Sequence, residues 1–343
     1  MSAERNRLLI QGAPGSPYTR KMLAVLRYKH IEYSYINRVQ AQAAGLQRPK
    51  VELLPTFYFP RAAGGFEPAV DSTPLIRRLD REWPARAVLP PDPVVAFIDA
   101  LIEDYADEWL TKAMFHYRWH YATDRDKAGA LLPLHQAIDA PTEAVAEMSR
   151  QFTERQVGRL RYVGSNDVTA PVIEASYARF LHLFEAILPQ RRFLFGARPA
   201  AADFAVFGQL TQLTHFDPTP AALSLKMAPR TYAWVEITED LSGIADDAAW
   251  AARETHEAVL RGLLAEIGRV YVPVLMANER AILQGAAMVE TAVDGLPWQQ
   301  NPFPYHAKCL AQLRGLRAGL ADGERRIVDD WLDGTGVERI FAT

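Results

Sequence analysis

The run Arg7-Leu8-Leu9-Ile10-Gln11-Gly12-Ala13-Pro14-Gly15-Ser16-Pro17-Tyr18-Thr19-Arg20-Lys21 changes character at its middle. Arg7 to Gln11 is a short apolar stretch ended by the turn formers Gly12, Pro14 and Gly15, and it reads as a buried strand. Ser16-Pro17 then opens a helix. Serine is a preferred N-cap, and proline at the first helical position gives up an N–H that has no intrahelical partner anyway. Met22, Leu23, Val25 and Leu26 supply the apolar face of that helix. The pattern is a strand, a glycine-proline loop, and a helix whose first turn carries a hydroxyl.

Ile31 to Ile36 alternates with aromatic residues and predicts a second strand. A polar stretch leads to Leu54-Pro55 and a third strand, Thr56-Phe57-Tyr58-Phe59, and a fourth follows Gly64-Gly65 around Phe66 to Val70. Ser72 caps a helix carrying Leu75, Ile76 and Leu79. The order β-α-β then β-β-α predicts a small mixed sheet with helices on its faces. Pro84 to Pro93, which holds Pro90 and Pro91 as well, reads as a linker.

Beyond it the period becomes helical. Ile98, Leu101, Ile102, Tyr105 and Trp109 fall on one stripe of a long helix expected to run to about Tyr121. Residues 122–168 are more polar and predict a helical hairpin. Further helices are expected near 171–188, 203–215, 229–241, 248–283 and 305–333. Met288 to Gln299 reads as a hairpin turning at Asp294-Gly295.

With 343 residues, two domains are expected at the usual ~150 residues each. Hydrophobic residues make up 49% and charged residues 23%, enough to build a sizeable core. Lys and Arg total 38 against 41 Asp and Glu, so no global basic field exists to hold nucleic acid. Cys309 is the only cysteine, which excludes an intramolecular disulfide and a cysteine-rich metal site. His116 and His120 have the i,i+4 spacing of a zinc pair but lack the adjacent Glu and an evident third ligand, so no metal is expected. The polar start of the chain has no leader-like apolar core. The longest apolar run, Val270 to Ala277, is broken by Pro273 and falls far below the ~18 residues that span a bilayer. A soluble cytoplasmic protein with no membrane contact is the expectation.

Four features taken together resemble the cytosolic glutathione S-transferase family: Gly12 to Lys21 as an active-site loop of the S-P-Y type, Leu54-Pro55 as the cis-proline before a strand, Asp71-Ser72-Thr73-Pro74-Leu75-Ile76 as the acidic-Ser motif, and Phe193 to Phe204 as the capping box of the second domain. They span residues 7–240. Asp217-Pro218-Thr219-Pro220 and Ala228-Pro229 with Trp234 fit the segments that usually come after it in that family. The resemblance implies a thioredoxin-like α/β domain over 1–84 and an all-α domain over 94–343. The second is enlarged at 122–168 and extended at 246–343. It also implies glutathione as co-substrate, a small hydrophobic electrophile as partner, and a homodimer.

Physical chemistry gives each motif a task. The glutathione thiol has a pKa near ~8.5, so only a few per cent is thiolate at neutral pH. Ser16 at a helix start offers a hydroxyl donor and a favourable dipole to that anion. Lowering the thiol pKa by ~2 units takes ~2.7 kcal/mol. Ser16 would assist while the bound sulfur attacks. The other reading is an N-cap and nothing more, and the phenol of Tyr18 is a rival donor. A serine at this position cannot form the mixed disulfide of a thiol-type enzyme.

The resemblance also gives roles to the remaining motifs. The backbone of Leu54, exposed by a cis-Pro55, pairs with the glutathione peptide, Asp71 meets the γ-glutamyl amino group, and Ser72 with its helix start takes the carboxylate. Lys50 reaches the glycyl carboxylate, or is a solvated surface lysine. Tyr105, Trp109, Lys112, His116 and Trp119 recur at helical spacing, and Tyr105, Trp109, His116 and Trp119 are the expected electrophile pocket, with helix packing the other reading.

Two departures stand out. Ala200 sits where the capping box has Ser or Thr, which should cost ~0.5–2 kcal/mol unless another group caps the helix. The apolar helices after 246 must pack on the second domain, and they could cover the pocket or the dimer face. In that stretch Cys309, near Trp298, Tyr305 and His306, reads as a buried free thiol. A non-catalytic glutathione-binding or structural protein of the same fold is the alternative to an enzyme.

Overall fold

The computed structural model describes residues 7–342. The first part gives β1 (Leu8–Gln11), α1 (Pro17–Tyr28), β2 (Tyr33–Ile36), α2 (Arg38–Ala43), β3 (Thr56–Pro60), β4 (Phe66–Ala69) and α3 (Ser72–Glu82). The sheet order is β2-β1-β3-β4, with β1 and β2 parallel and the other pairs antiparallel. Phe57, Tyr58 and Phe59 are all buried, because helices and loops cover both faces of this central strand. Met22, Val25 and Leu26 of α1 and Leu75, Ile76 and Leu79 of α3 fill the core against it. The unexpected element is α2. Its signal lies in Asn37 and Gln40, a reciprocal capping box in which each side chain accepts the other's backbone N–H at 2.9 and 2.8 Å.

The second part continues with α4 (Pro93–Tyr105), α5 (Thr111–His120), α6 (Ala122–Leu131), α7 (Thr142–Val157), α8 (Leu160–Val163), α9 (Ala170–Ile187), α10 (Ala201–Leu210), α11 (Pro218–Met227) and α12 (Pro229–Thr238). It ends with α13 (His256–Glu266), α14 (Val272–Gln284), β5 (Val289–Val293), β6 (Leu296–Gln300), α15 (Pro304–Ala318) and α16 (Asp322–Leu332). This part is therefore not purely helical: β5 and β6 form a hairpin turning at Asp294-Gly295, both at positive φ (53° and 76°). The long helix expected to reach Tyr121 is α4 joined to α5 by a π turn at Ala106–Leu110. The helix expected over 305–333 is two, α15 and α16.

The deficit expected at Ala200 is made good from elsewhere in the fold. The Ala202 N–H donates to Asp99 Oδ1 of α4 at 2.8 Å, and the Ala201 N–H to the Val88 carbonyl at 3.0 Å. Asp203 accepts from the N–H groups of Ala200 and Leu194, each at 2.9 Å. The capped helix then lies against the start of α1. A Cβ on Gly208 would stand 2.6 Å from the Pro17 carbonyl oxygen, so only glycine admits this approach. The last hundred residues pack on α4 and the π turn: Tyr271 donates to Asp104 at 2.8 Å, and the rings of Trp298 and Trp109 are 5.2 Å apart.

Candidate active site

Strand register gathers three of the expected segments. Gln11 lies opposite Thr56, and Phe57 opposite Ala69. The loop after Gln11, the Leu54-Pro55 pair before Thr56 and the Val70-Asp71 corner after Ala69 therefore meet at one end of the sheet. The Leu54-Pro55 bond is cis, Leu54 is exposed, and Pro55 is buried. Asp71 has φ 78°, a conformation sparsely used by non-glycine residues.

Ser16 is the N-cap of the 12-residue α1, its Oγ accepting the Thr19 N–H at 3.3 Å. That bond uses a lone pair and leaves the hydroxyl proton free to donate. The loop before it is held from the second part of the chain. Arg118 Nη1 donates to the Gly15 carbonyl at 2.8 Å, while its other nitrogens grip Asp217 and Gln212. A Cβ on Gly15 would collide with Leu132, which places the segment after α6 directly over the loop. Tyr18 is otherwise engaged. Its hydroxyl donates to the Asp107 carbonyl at 2.7 Å, and burial pushes the phenol well above its ordinary value, so its single proton is committed away from a sulfur.

Behind Ser72 lies a buried charge cluster. Lys21, 1% exposed, places Nζ at 2.6 Å from Asp107 Oδ2, 2.8 Å from Glu103 Oε1 and 3.1 Å from Ser72 Oγ. Burial opposes the ammonium, but Asp107 and Glu103 outweigh it and hold Lys21 above its usual value. One cation faces two carboxylates, so burial and Glu103 leave Asp107 above the ordinary carboxylate range despite Lys21. Around the π turn, burial raises Asp104 of α4 to about 8 and Glu108 of the turn itself to about 7, and lowers Lys112 of α5 to about 8.

Lys50 is exposed on the rim of a cleft of about 390 Å³ that also contains Arg48, Arg61 and Glu67. The expected electrophile pocket is a packed interior instead. Tyr105, Trp109, His116 and Trp119 are each exposed by 1% or less. The first three do share a face, and α9 fills it: Tyr105 meets Phe180, Trp109 Nε1 donates to Ser176, and His116 Nε2 is 3.1 Å from Glu174. Trp119 turns toward Phe152 of α7. In this structure the four are core residues.

Several residues at this junction gave no local signal in the sequence. Lys21, Glu103, Asp107 and Arg118 look like surface charges until the fold brings their partners. Tyr305, at the start of α15, is the most distant: its hydroxyl donates to Asp71 Oδ2 at 2.8 Å across 234 residues. Among the described residues, no group of three or more His, Cys, Asp or Glu is placed to hold a metal, and no helix is long and apolar enough to cross a membrane.

Family models for the glutathione S-transferase N-terminal domain and C-terminal domain match residues 11–87 and 143–236. Among solved structures, the chain is similar to a glutathione S-transferase from Rhodospirillum rubrum, at 16% identity, covering 74% of this chain and 91% of that one with a TM-score of 0.41. A glutathione S-transferase from Methylobacterium radiotolerans, in complex with glutathione sulfonate, shares 18% identity over 72% of this chain and 96% of its own, with a TM-score of 0.42. The beta-etherase LigF from a Sphingobium strain shares 15% identity over 68% and 96%, with a TM-score of 0.48. No curated protein matches the chain.

Proposed function

The chain belongs to the glutathione S-transferase superfamily, and from that premise we propose that it binds glutathione at the sheet end and activates its thiol for attack on a hydrophobic electrophile. The observation that carries the reading is Ser16, whose hydroxyl caps α1 through its lone pair and keeps its proton for a sulfur anion. A charge-assisted hydrogen bond and a helix N-terminus together can supply the ~2.7 kcal/mol that two pKa units require. On this reading the exposed backbone of Leu54 before cis-Pro55 pairs with the peptide, Asp71 takes the γ-glutamyl ammonium, Ser72 takes its carboxylate, and Lys50 faces the glycyl end. The buried Lys21 donates to Ser72 Oγ, so the serine's own proton is turned to another acceptor, here Asp107 or an incoming carboxylate. A cytoplasmic homodimer belongs to the same proposal.

The filled stripe on α4 and α5 favours a second reading, a protein that holds glutathione without turning it over. One titration separates the two. The ultraviolet thiolate band of the glutathione complex is followed against pH in the wild type and in Ser16→Ala. Activation predicts thiolate at neutral pH in the wild type and its loss in the variant. Glutathione bound with no thiolate band below pH ~8 identifies the binding protein and overturns the enzymatic reading.

A further inference from the structure

The contact between Tyr305 and Asp71 joins the late extension to a corner of the sheet that the proposed function assigns to the ligand. Tyr305 OH donates to Asp71 Oδ2 at 2.8 Å, and both side chains are partly exposed. Such a tyrosine is either a mobile cover or a fixed part of the site. Its neighbours make it a fixed part.

Phe303, two residues before it, is clamped by the fully buried Asn278. The Phe303 N–H donates to Asn278 Oδ1 at 2.8 Å, and Asn278 Nδ2 donates to the Phe303 carbonyl at 3.0 Å. One residue after Tyr305, His306 Nε2 lies 3.1 Å from Glu108 Oε2, with its ring 2% exposed. Lys112 Nζ donates to Gln300 Oε1 at 3.2 Å, and the Trp298 ring packs at a tilt against Trp109. These contacts pin the backbone on both sides of Tyr305, so moving the segment as a whole would break the Asn278 clamp and the His306 contact with Glu108. Tyr305 is therefore held within reach of Asp71 when a ligand arrives, with its hydroxyl on Oδ2.

We infer that Tyr305 is a specificity-determining residue of the γ-glutamyl subsite: it orients the Asp71 carboxylate and so selects ligands that bring a free α-ammonium to it. This rests on the reading that Asp71 receives that group. An ionised carboxylate has two oxygens and about four acceptor positions, so the phenol on Oδ2 leaves the carboxylate able to take an ammonium as well. The phenol also fixes one rotamer of a side chain whose backbone is already confined at φ 78°. An oriented acceptor loses less entropy when the ligand arrives, which appears as affinity. Tyr305 touches the carboxylate and not the reacting sulfur, so its effect belongs in binding.

The test is equilibrium titration of the full-length protein with two probes: glutathione, and the analogue in which hydrogen replaces the γ-glutamyl α-amino group. Tyr305→Phe keeps the ring and removes the hydroxyl. The expected result is glutathione binding weakened about 5- to 20-fold in the variant, the analogue unchanged within about twofold, and an unaltered unfolding midpoint; a 10-fold loss corresponds to about 1.4 kcal/mol. Equal weakening of both probes means a structural role only and overturns the inference. Unchanged glutathione affinity also overturns it, and tighter binding overturns it in favour of a tyrosine that competes with the ligand. If the wild type binds neither probe, the glutathione reading itself falls and takes this inference with it, a result distinct from the other three.

Discussion

Arg118 and Gly15 are bonded across the junction between the helical part and the sheet, the guanidinium donating to the carbonyl of the residue just before Ser16 at 2.8 Å. The same guanidinium grips Asp217, which is fully buried. Removing the arginine would strand that carboxylate, so Arg118→Met should lower unfolding free energy by about 3–5 kcal/mol. The double variant Arg118→Met with Asp217→Leu should recover most of that loss, since an apolar pair carries no buried charge. It should still leave the Gly15 carbonyl without its Arg118 bond, with the longer Gln212 contact to the Pro14 carbonyl at 3.4 Å remaining from the helical part. Denaturant titration and hydrogen exchange read the two effects separately; an unchanged loop in the double variant would show that Arg118 serves stability alone.

Ser16 has a capping role and a proposed chemical one, and one substitution divides them. Asp caps as well as Ser, but its charge opposes a neighbouring thiolate. Ser16→Asp should match the wild type in stability within about 0.5 kcal/mol, where Ser16→Ala loses about 0.5–2 kcal/mol. Both should lack the glutathione thiolate. A thiolate band surviving in Ser16→Asp would remove Ser16 from the chemistry.

Asp99 supplies the cap that Ala200 cannot. Burial, then Glu103, pushes its carboxyl well above the ordinary range. A neutral group that accepts the same bond should therefore serve. Asp99→Asn is expected to stay within about 1 kcal/mol of wild type, whereas Asp99→Ala leaves the Ala202 N–H buried and unpaired at about 1–3 kcal/mol. Equal unfolding midpoints for the two variants would refute this account of the helix start.

Stability should fall as pH rises from 6.5 to 8. Asp104 and Glu108 are raised by burial to about 8 and about 7, so the folded chain keeps protons that the unfolded chain has already released. Stability from such groups is complete below their unfolded pKa and is lost as pH climbs through the folded one. His256, lowered to about 4 by burial, acts below this window, and Lys112, lowered to about 8, acts above it. The slope is about 1.4 kcal/mol per pH unit for each proton retained, so these two groups predict a loss of about 2–3 kcal/mol, and Asp107 and Asp203, each raised by burial to about 7, add to it in the same direction. Asp104→Asn, which still accepts from Tyr271, should make it shallower, most of all above pH 7. A stability that rises across the window contradicts the assignment.

Much of the first part, and the late hairpin, was legible because the signals are local. The apolar run ending at Gln11, the Ser16-Pro17 helix start, the aromatic strand Thr56 to Phe59 and the Asp294-Gly295 turn each depend on neighbours within a few residues. The stripe of Tyr105, Trp109 and His116 was legible as a face but not as to what meets that face. An amphipathic pattern says that a surface is covered, and α9, some seventy residues on, decides whether by a ligand or by protein. The same limit applies to Ala200, whose missing hydroxyl is visible in sequence while its replacement, Asp99, lies on another helix.

By itself the sequence determined a strand-loop-helix opening with a hydroxyl at the helix start, the mixed sheet, the family resemblance and the helical character of the chain beyond the proline-rich linker. Each is set by backbone preference and periodicity over short spans. Only the tertiary structure decided the electrostatics: that Lys21 is buried among Glu103, Asp107 and Ser72, that Arg118 reaches Gly15, and that Tyr305 settles on Asp71. A charge or hydroxyl gains its energy from a partner within about 3 Å, and nothing in the local chain says which distant residue that partner will be.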